Sequence, residues 1–227
     1  MNPECSEKDD PSRGNTSAFT IHALKFGQPV PDGTKIVVTL LTPEQALEYT
    51  SQTAGTGGVN GLADISIPPN ALTINQQEHP PAWDEPYSVT VETKDGAAVF
   101  DMKCSDPQHP RPHVDGQVYF LRYGFADPAI ADSYKQDSND LISVLVYDAT
   151  VPESTTAVDI LGKYGRIYKI MNFLADEQKI SEITRRNAIK VLLEKPVAEL
   201  QHMPVTRDLS AAARQKVIDW IDSFNSQ

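Results

Sequence analysis

The chain of 227 residues predicts two domains of opposite class, an antiparallel β-sandwich followed by a small all-α domain. Three observations carry that expectation. Apolar and polar residues alternate with period 2 in short runs as far as Tyr147, and apolar spacing becomes helical from Leu161. The charge is also unevenly shared. Residues 1–150 hold 9 Lys and Arg against 21 Asp and Glu, a net of −12, whereas residues 151–227 hold 11 against 10, a net of +1. The boundary is expected near 148–156, giving a tail over 1–16, a β-sandwich over 17–150 and a helical domain over 151–227.

Residues 1–16 carry too little apolar surface to be buried and read as a flexible tail. The first strand candidate is Phe19–Leu24, with weak alternation. Lys35–Leu41 is β-branched and follows the turn sequence Pro31-Asp32-Gly33. Leu62–Ile67 alternates and stops at Pro68-Pro69. Tyr87–Glu92 and Ala97–Met102 flank Lys94-Asp95-Gly96, and Asp-Gly between two alternating runs is the strongest hairpin signal in the chain. Gln117–Tyr123 and Leu141–Tyr147 complete seven strands. Pro- and Gly-rich connections without helical crossovers then favour an antiparallel sandwich, immunoglobulin-like in outline, although the Cys–Trp–Cys pattern of antibody domains is absent. Thr42-Pro43-Glu44-Gln45-Ala46-Leu47-Glu48-Tyr49 interrupts the series and reads as a helix of one or two turns, with Thr42 as N-cap and Pro43 at its first position.

After Asp148 the period is helical. Leu161, Tyr164, Tyr168 and Met171 form one stripe, at i, i+3, i+7 and i+10. Ser181 is placed to cap a second helix that carries Ile183, Ala188, Val191 and Leu192 and ends before Pro196. Ser210 is placed to cap a third, with Val217, Trp220, Ile221 and Phe224 on one face and Trp220 as its core anchor.

Composition excludes several roles. No apolar run approaches the ~18–20 residues needed to span a bilayer. An N-terminal part of net −12 disfavours nucleic acid and anionic membranes, which are bound mainly through cations. Glu4, Glu7, Asp9 and Asp10 stand where a signal peptide would be positive and then apolar, so a cytoplasmic protein is expected.

The motifs that could carry chemistry are weak. His109-Pro110-Arg111-Pro112-His113 spaces two imidazoles four apart, but the prolines exclude a helix and no further ligand follows, so an extended loop is expected and no metal. The glycine-rich run from Thr53 to Gly61 precedes a strand instead of opening a helix, and reads as a loop and not as a phosphate cradle. Two cysteines do not make a disulfide scaffold, and Cys104 is expected to be buried and inert. In Met203-Pro204-Val205-Thr206-Arg207-Asp208-Leu209-Ser210, each residue has a local structural use, while Arg207 and Asp208 are the one candidate interaction point.

Residues 156–225 resemble a class I cytochrome c domain without its haem attachment. The resemblance rests on Val158-Asp159-Ile160-Leu161 running into Tyr164-Gly165-Arg166-Ile167-Tyr168, on Met203-Pro204, on Leu209-Ser210, and on a closing helix with Trp220-Ile221. A c-type haem needs two thiols and a histidine, and residues 164–168 supply none of the three. The resemblance implies a helical fold with crossed first and last helices. It also implies a pocket whose cofactor has been lost, expected here to be filled by Tyr164, Tyr168, Met171 and Met203. No cofactor, no metal and no catalytic residue is therefore expected. The expected role is a non-catalytic accessory or binding subunit acting through a protein partner of oxidoreductase type. The alternative is a redox enzyme or electron carrier holding haem or a metal non-covalently, with His202 and Met203 as the available pair.

Overall fold

The computed structural model describes residues 16–46, 68–77, 87–108, 116–131, 141–167, 169–196, 198–204 and 209–224. The strand expected over 62–67, the glycine-rich run, His109, His113, Tyr168, Arg207 and Asp208 lie outside the described residues. Contacts divide the chain into two units, changing from one to the other between Val146 and Tyr147, and Gly116 groups with the second.

The first unit is an antiparallel sheet. Its strands are β1 (Thr16–His22), β2 (Leu24–Lys25), β3 (Gln28–Pro29), β4 (Lys35–Leu40), β5 (Leu72–Ile74), β6 (Tyr87–Lys94), β7 (Ala97–Cys104), β8 (Gln117–Phe125) and β9 (Leu141–Val146). The main sheet runs β1-β7-β6-β4-β8-β9 with β5 also beside β7, while β2 and β3 form a separate hairpin. Asp95 and Gly96 turn the chain with φ of 52° and 73°, the backbone that a tight two-residue hairpin demands. Beyond the turn, β6 and β7 pair only at Thr93↔Ala98 and Lys94↔Ala97. They then part. β6 continues along β4 from Glu92↔Lys35 to Tyr87↔Leu40, and β7 runs between β1 and β5.

The sheet is therefore curled, and its two halves share one core. Phe100, Met102, Leu72 and Ile74 come from one half; Val38, Leu40, Val89, Leu121 and Val144 come from the other. Period-2 geometry places them there, since β6 and β7 each bury every second residue. Tyr119 is fully buried, and its hydroxyl donates to the carbonyl of Pro68 at 2.8 Å, which satisfies the polar tip. Cys104 is buried with a free thiol, as the sequence indicated. The interrupting helix begins where expected. Gln45 N–H donates to Thr42 Oγ1 and Thr42 N–H to Gln45 Oε1, both at 3.2 Å, a reciprocal capping pair. A four-residue helix, α1 (Pro128–Ala131), follows β8.

The second unit is helical: α2 (Ala157–Ile167), a 3-10 segment (Lys169–Ala175), α3 (Glu177–Ile180), α4 (Ile183–Leu193) and α5 (Ala211–Ser223). Three of its starts, those of α2, α3 and α5, are capped by side chains. Asp159 N–H donates to Thr156 Oγ1 at 3.1 Å, Lys179 N–H to Asp176 Oδ1 at 3.3 Å, and Ala213 N–H to Ser210 Oγ at 3.0 Å. Ile160 and Leu161 of α2, Leu174, Ile180, Leu193 of α4, and Val217 and Ile221 of α5 form its core.

Three expectations are corrected. The α2 stripe does not run on to Met171, because α2 stops at Ile167 and Met171 has non-helical φ and ψ of −107° and 21°. Ser181 does not cap α4. It closes α3, and Glu182 precedes α4 without a side-chain cap. Trp220 packs against this core but is only partly buried, edge-on to Phe224 with ring centroids 5.0 Å apart, while Val217 and Ile221 on its flank are the fully buried residues.

Candidate functional site: an apolar pocket in the helical unit

Placing the pocket begins with a glycine. A Cβ on Gly165 would lie 3.1 Å from the amide nitrogen of Ala175 and 3.2 Å from the carbonyl oxygen of Met171. Without a side chain there, the 3-10 segment approaches α2 closely and swings Met171, Phe173 and Leu174 to one side of it. Leu161 and Tyr164 of α2 form a second wall. The third wall is α4, through Arg185, Ala188, Ile189, Leu192 and Leu193, and the loop residues Met203, Pro204 and Leu209 complete the lining.

These residues enclose a cavity of about 480 Å³. Pockets of 300–1,000 Å³ with mainly hydrophobic linings and few polar groups are typical sites for small molecules. Sealed and empty, that volume of apolar void would cost about 11 kcal/mol at roughly 24 cal/mol per Å³. A unit of this size has only about 4–12 kcal/mol of stability in total. The pocket is instead open at a rim where Ala188 is exposed.

The expectation that Tyr164, Met171 and Met203 fill this space is thus corrected: they line it. Once the chain leaves the α-helix at Ile167, Met171 no longer continues the α2 stripe, and its side chain belongs to the 3-10 wall. Met203 is positioned through its backbone, its N–H donating to the carbonyl of Leu192 at 3.2 Å. His202 is buried and is not part of the lining. Its Nδ1 lies 2.6 Å from the carbonyl oxygen of Lys195, and because a carbonyl only accepts, Nδ1 carries the proton and donates.

Arg185 is the one charged residue of the lining among the described residues. Its guanidinium carbon stands 5.4 Å from the centre of the Phe173 ring. Nη1 donates to Glu182 Oε1 at 3.2 Å, in an exposed pair one helical turn apart. Elsewhere in the unit the titratable groups serve structure. The Thr156 hydroxyl and amide hold Asp159 below the ordinary carboxylate range, and Lys179 does the same for Asp176. Lys190 reaches from α4 to both carboxylate oxygens of Asp222 on α5, at 2.5 and 2.7 Å, which raises its pKa; Glu194 adds to the effect.

Compared with protein-family models, curated proteins and solved structures, the chain matches none. Among the described residues, no cluster of three or more His, Cys, Asp or Glu could hold a metal ion, and no helix is long and apolar enough to cross a membrane.

The sequence reading reached Leu161, Tyr164, Met171, Leu192 and Met203 but missed Arg185, Ile189 and Leu193. A signal was available. Ile189, Leu192 and Leu193 follow i, i+3, i+4 spacing, and Arg185 lies one turn before them. The face chosen in their place is open to solvent, with Ile183 63% and Val191 56% exposed.

Proposed function

We propose that the protein is a non-catalytic binding subunit. Its helical unit takes an apolar group into the pocket between α2, the 3-10 segment and α4, and it works through a protein partner. The observation that carries this reading is the pocket: an apolar, solvent-open space of about 480 Å³ with a single charged side chain among its described lining residues. Burial of an apolar group there is favourable by about 25 cal/mol per Å² removed from water.

The cytochrome-like ancestry of the helical unit belongs to the same proposal. It is supported by Met203 on the pocket wall, by the Ser210 cap of α5, and by Val217 and Ile221 sharing a core with Leu161. That resemblance is what points to an oxidoreductase-type partner. An immunoglobulin-like sandwich is likewise our reading of the first unit, supported by a curled antiparallel sheet whose halves share a core. The acidic part, of net −12, is the surface we assign to a basic partner. Haem itself does not fit the residues present. Residues 164–168 contain no thiol or histidine, and His202 is not among the residues that line the pocket.

Two measurements test the reading. An apolar fluorescent probe should bind the full chain at one site and be lost when Ala188, exposed at the rim, is replaced by Trp. Co-purification from the native source should yield a partner at low salt and release it at high salt, as screening shortens the reach of the acidic field. Absence of any saturable probe binding overturns the pocket assignment. Stoichiometric haemin uptake with a Soret band, or turnover by the isolated chain, overturns the non-catalytic one.

A further inference from the structure

Among the described residues that line the pocket, one carries a charge, the cation Arg185. We propose that the guest is an amphipathic monocarboxylate, with its hydrocarbon body in the cavity and its carboxylate on Arg185. The inference rests on the reading of the helical unit as a binding module.

Arg185 is built to receive such a head group. It sits on α4 one turn before Ile189, so its stem lies along the apolar face while its side chain remains 41% exposed. The Phe173 ring, with its centre 5.4 Å from the guanidinium carbon, offers the cation an aromatic face beside the opening. The bonds it makes to Glu182 Oε1 and to the carbonyl of Lys179 both use Nη1. A guanidinium offers five donors in a planar fork that matches a carboxylate, so the remaining edge suits a bidentate contact. The pair with Glu182 is exposed and contributes little, so an incoming carboxylate meets weak competition. The lining selects for the rest of the molecule: Leu161, Leu174, Ile189 and Leu193 offer no side-chain hydrogen bond, and a polar group placed against them would be buried without a partner. Met171 and Met203 give the walls the adaptable shape that a flexible chain needs.

The test compares decanoate with decanol on the full chain, below micelle-forming concentrations, by calorimetry and by displacement of the fluorescent probe. Decanoate should bind about tenfold more tightly than decanol, the order expected of a charge-assisted pair at a half-open site. Arg185→Gln should erase that preference, bringing decanoate down to the affinity of decanol, and Arg185→Lys should keep part of it. Ala188→Trp, at an exposed rim position that leaves the core intact, should weaken both ligands. Equal affinity for the two ligands, or a preference that survives in Arg185→Gln, overturns the carboxylate assignment and leaves the binding-module reading standing. Failure of both ligands to bind overturns the two together.

Discussion

Replacing Gly96 by Ala should cost the β unit about 1–5 kcal/mol, and the structure separates the causes. Gly96 has φ of +73°, where an L-residue is strained by about 1–2 kcal/mol. The new Cβ would lie 2.7 Å from Pro29 Cβ and 3.0 Å from Pro29 Cα, the second a backbone atom that cannot rotate away. Overpacking of that kind adds about 1–3 kcal/mol. The lower entropy of the unfolded alanine chain returns about 0.4–1 kcal/mol. Gly27 supplies the control. Its φ is +77°, yet no atom lies within 4 Å of an added Cβ, so Gly27→Ala should show the strain alone, net about 1 kcal/mol or less. Urea unfolding followed by far-ultraviolet circular dichroism gives both values. If Gly96→Ala is no more destabilising than Gly27→Ala, the seating of Pro29 against the β6–β7 turn is wrong.

Four further outcomes are expected. Ile221→Ala, which empties a fully buried position of α5, should cost ~2–5 kcal/mol by chemical denaturation. Asp159 and Asp176 both titrate below the ordinary 3.8 in the folded chain, so their contribution is complete above that value and is lost as pH falls through the lowered ones. Urea midpoints of the helical unit should therefore drop below about pH 4, and less steeply in Asp159→Asn. At the alkaline end, Lys190 acts with the opposite sign. Its pKa is raised above 10.5, chiefly by Asp222, so its contribution is full below 10.5 and disappears as pH rises through the raised value; Asp222→Asn should remove that alkaline loss. Phe26, 96% exposed with φ of +52°, occupies a turn position that Asn tolerates better, and Phe26→Asn should raise stability by about 1 kcal/mol, read from the same denaturation curves.

What the sequence made legible depends on the range of the interaction. Tyr87–Lys94 and Ala97–Cys104 were readable because a strand with one buried face alternates within its own span. The turn between them was readable because Asp95 and Gly96 need positive φ. The separation of β6 and β7 after two residue pairs was not, since it is decided by β4 and β1, whose residues lie dozens of positions away. Strands of two or three residues, such as β2, β3 and β5, are too short to show a period. In α4 the apolar residues surround the helix, so periodicity did not choose between Val191 outside and Leu193 inside. The pocket was beyond reach for a related reason: the side chains suited to fill it were identifiable, but whether they fill or line it depends on where α2 stops. Arg207 and Asp208, the residues marked for interaction, fall outside the described residues.

The two residue pairs at the base of the β6–β7 hairpin have a kinetic consequence. Theirs are the shortest loop closures in the main sheet, whereas β1–β7, β4–β6 and β4–β8 join residues far apart in the chain. Ordering a distant strand is entropically expensive until something rigid exists for it to pair with. The Asp95-Gly96 turn provides that first edge, and each strand leaving it becomes the template for a different half of the sheet. One short turn thus sets the order of assembly for both halves, so damage to it slows the search for the native pairing more than it hastens its loss.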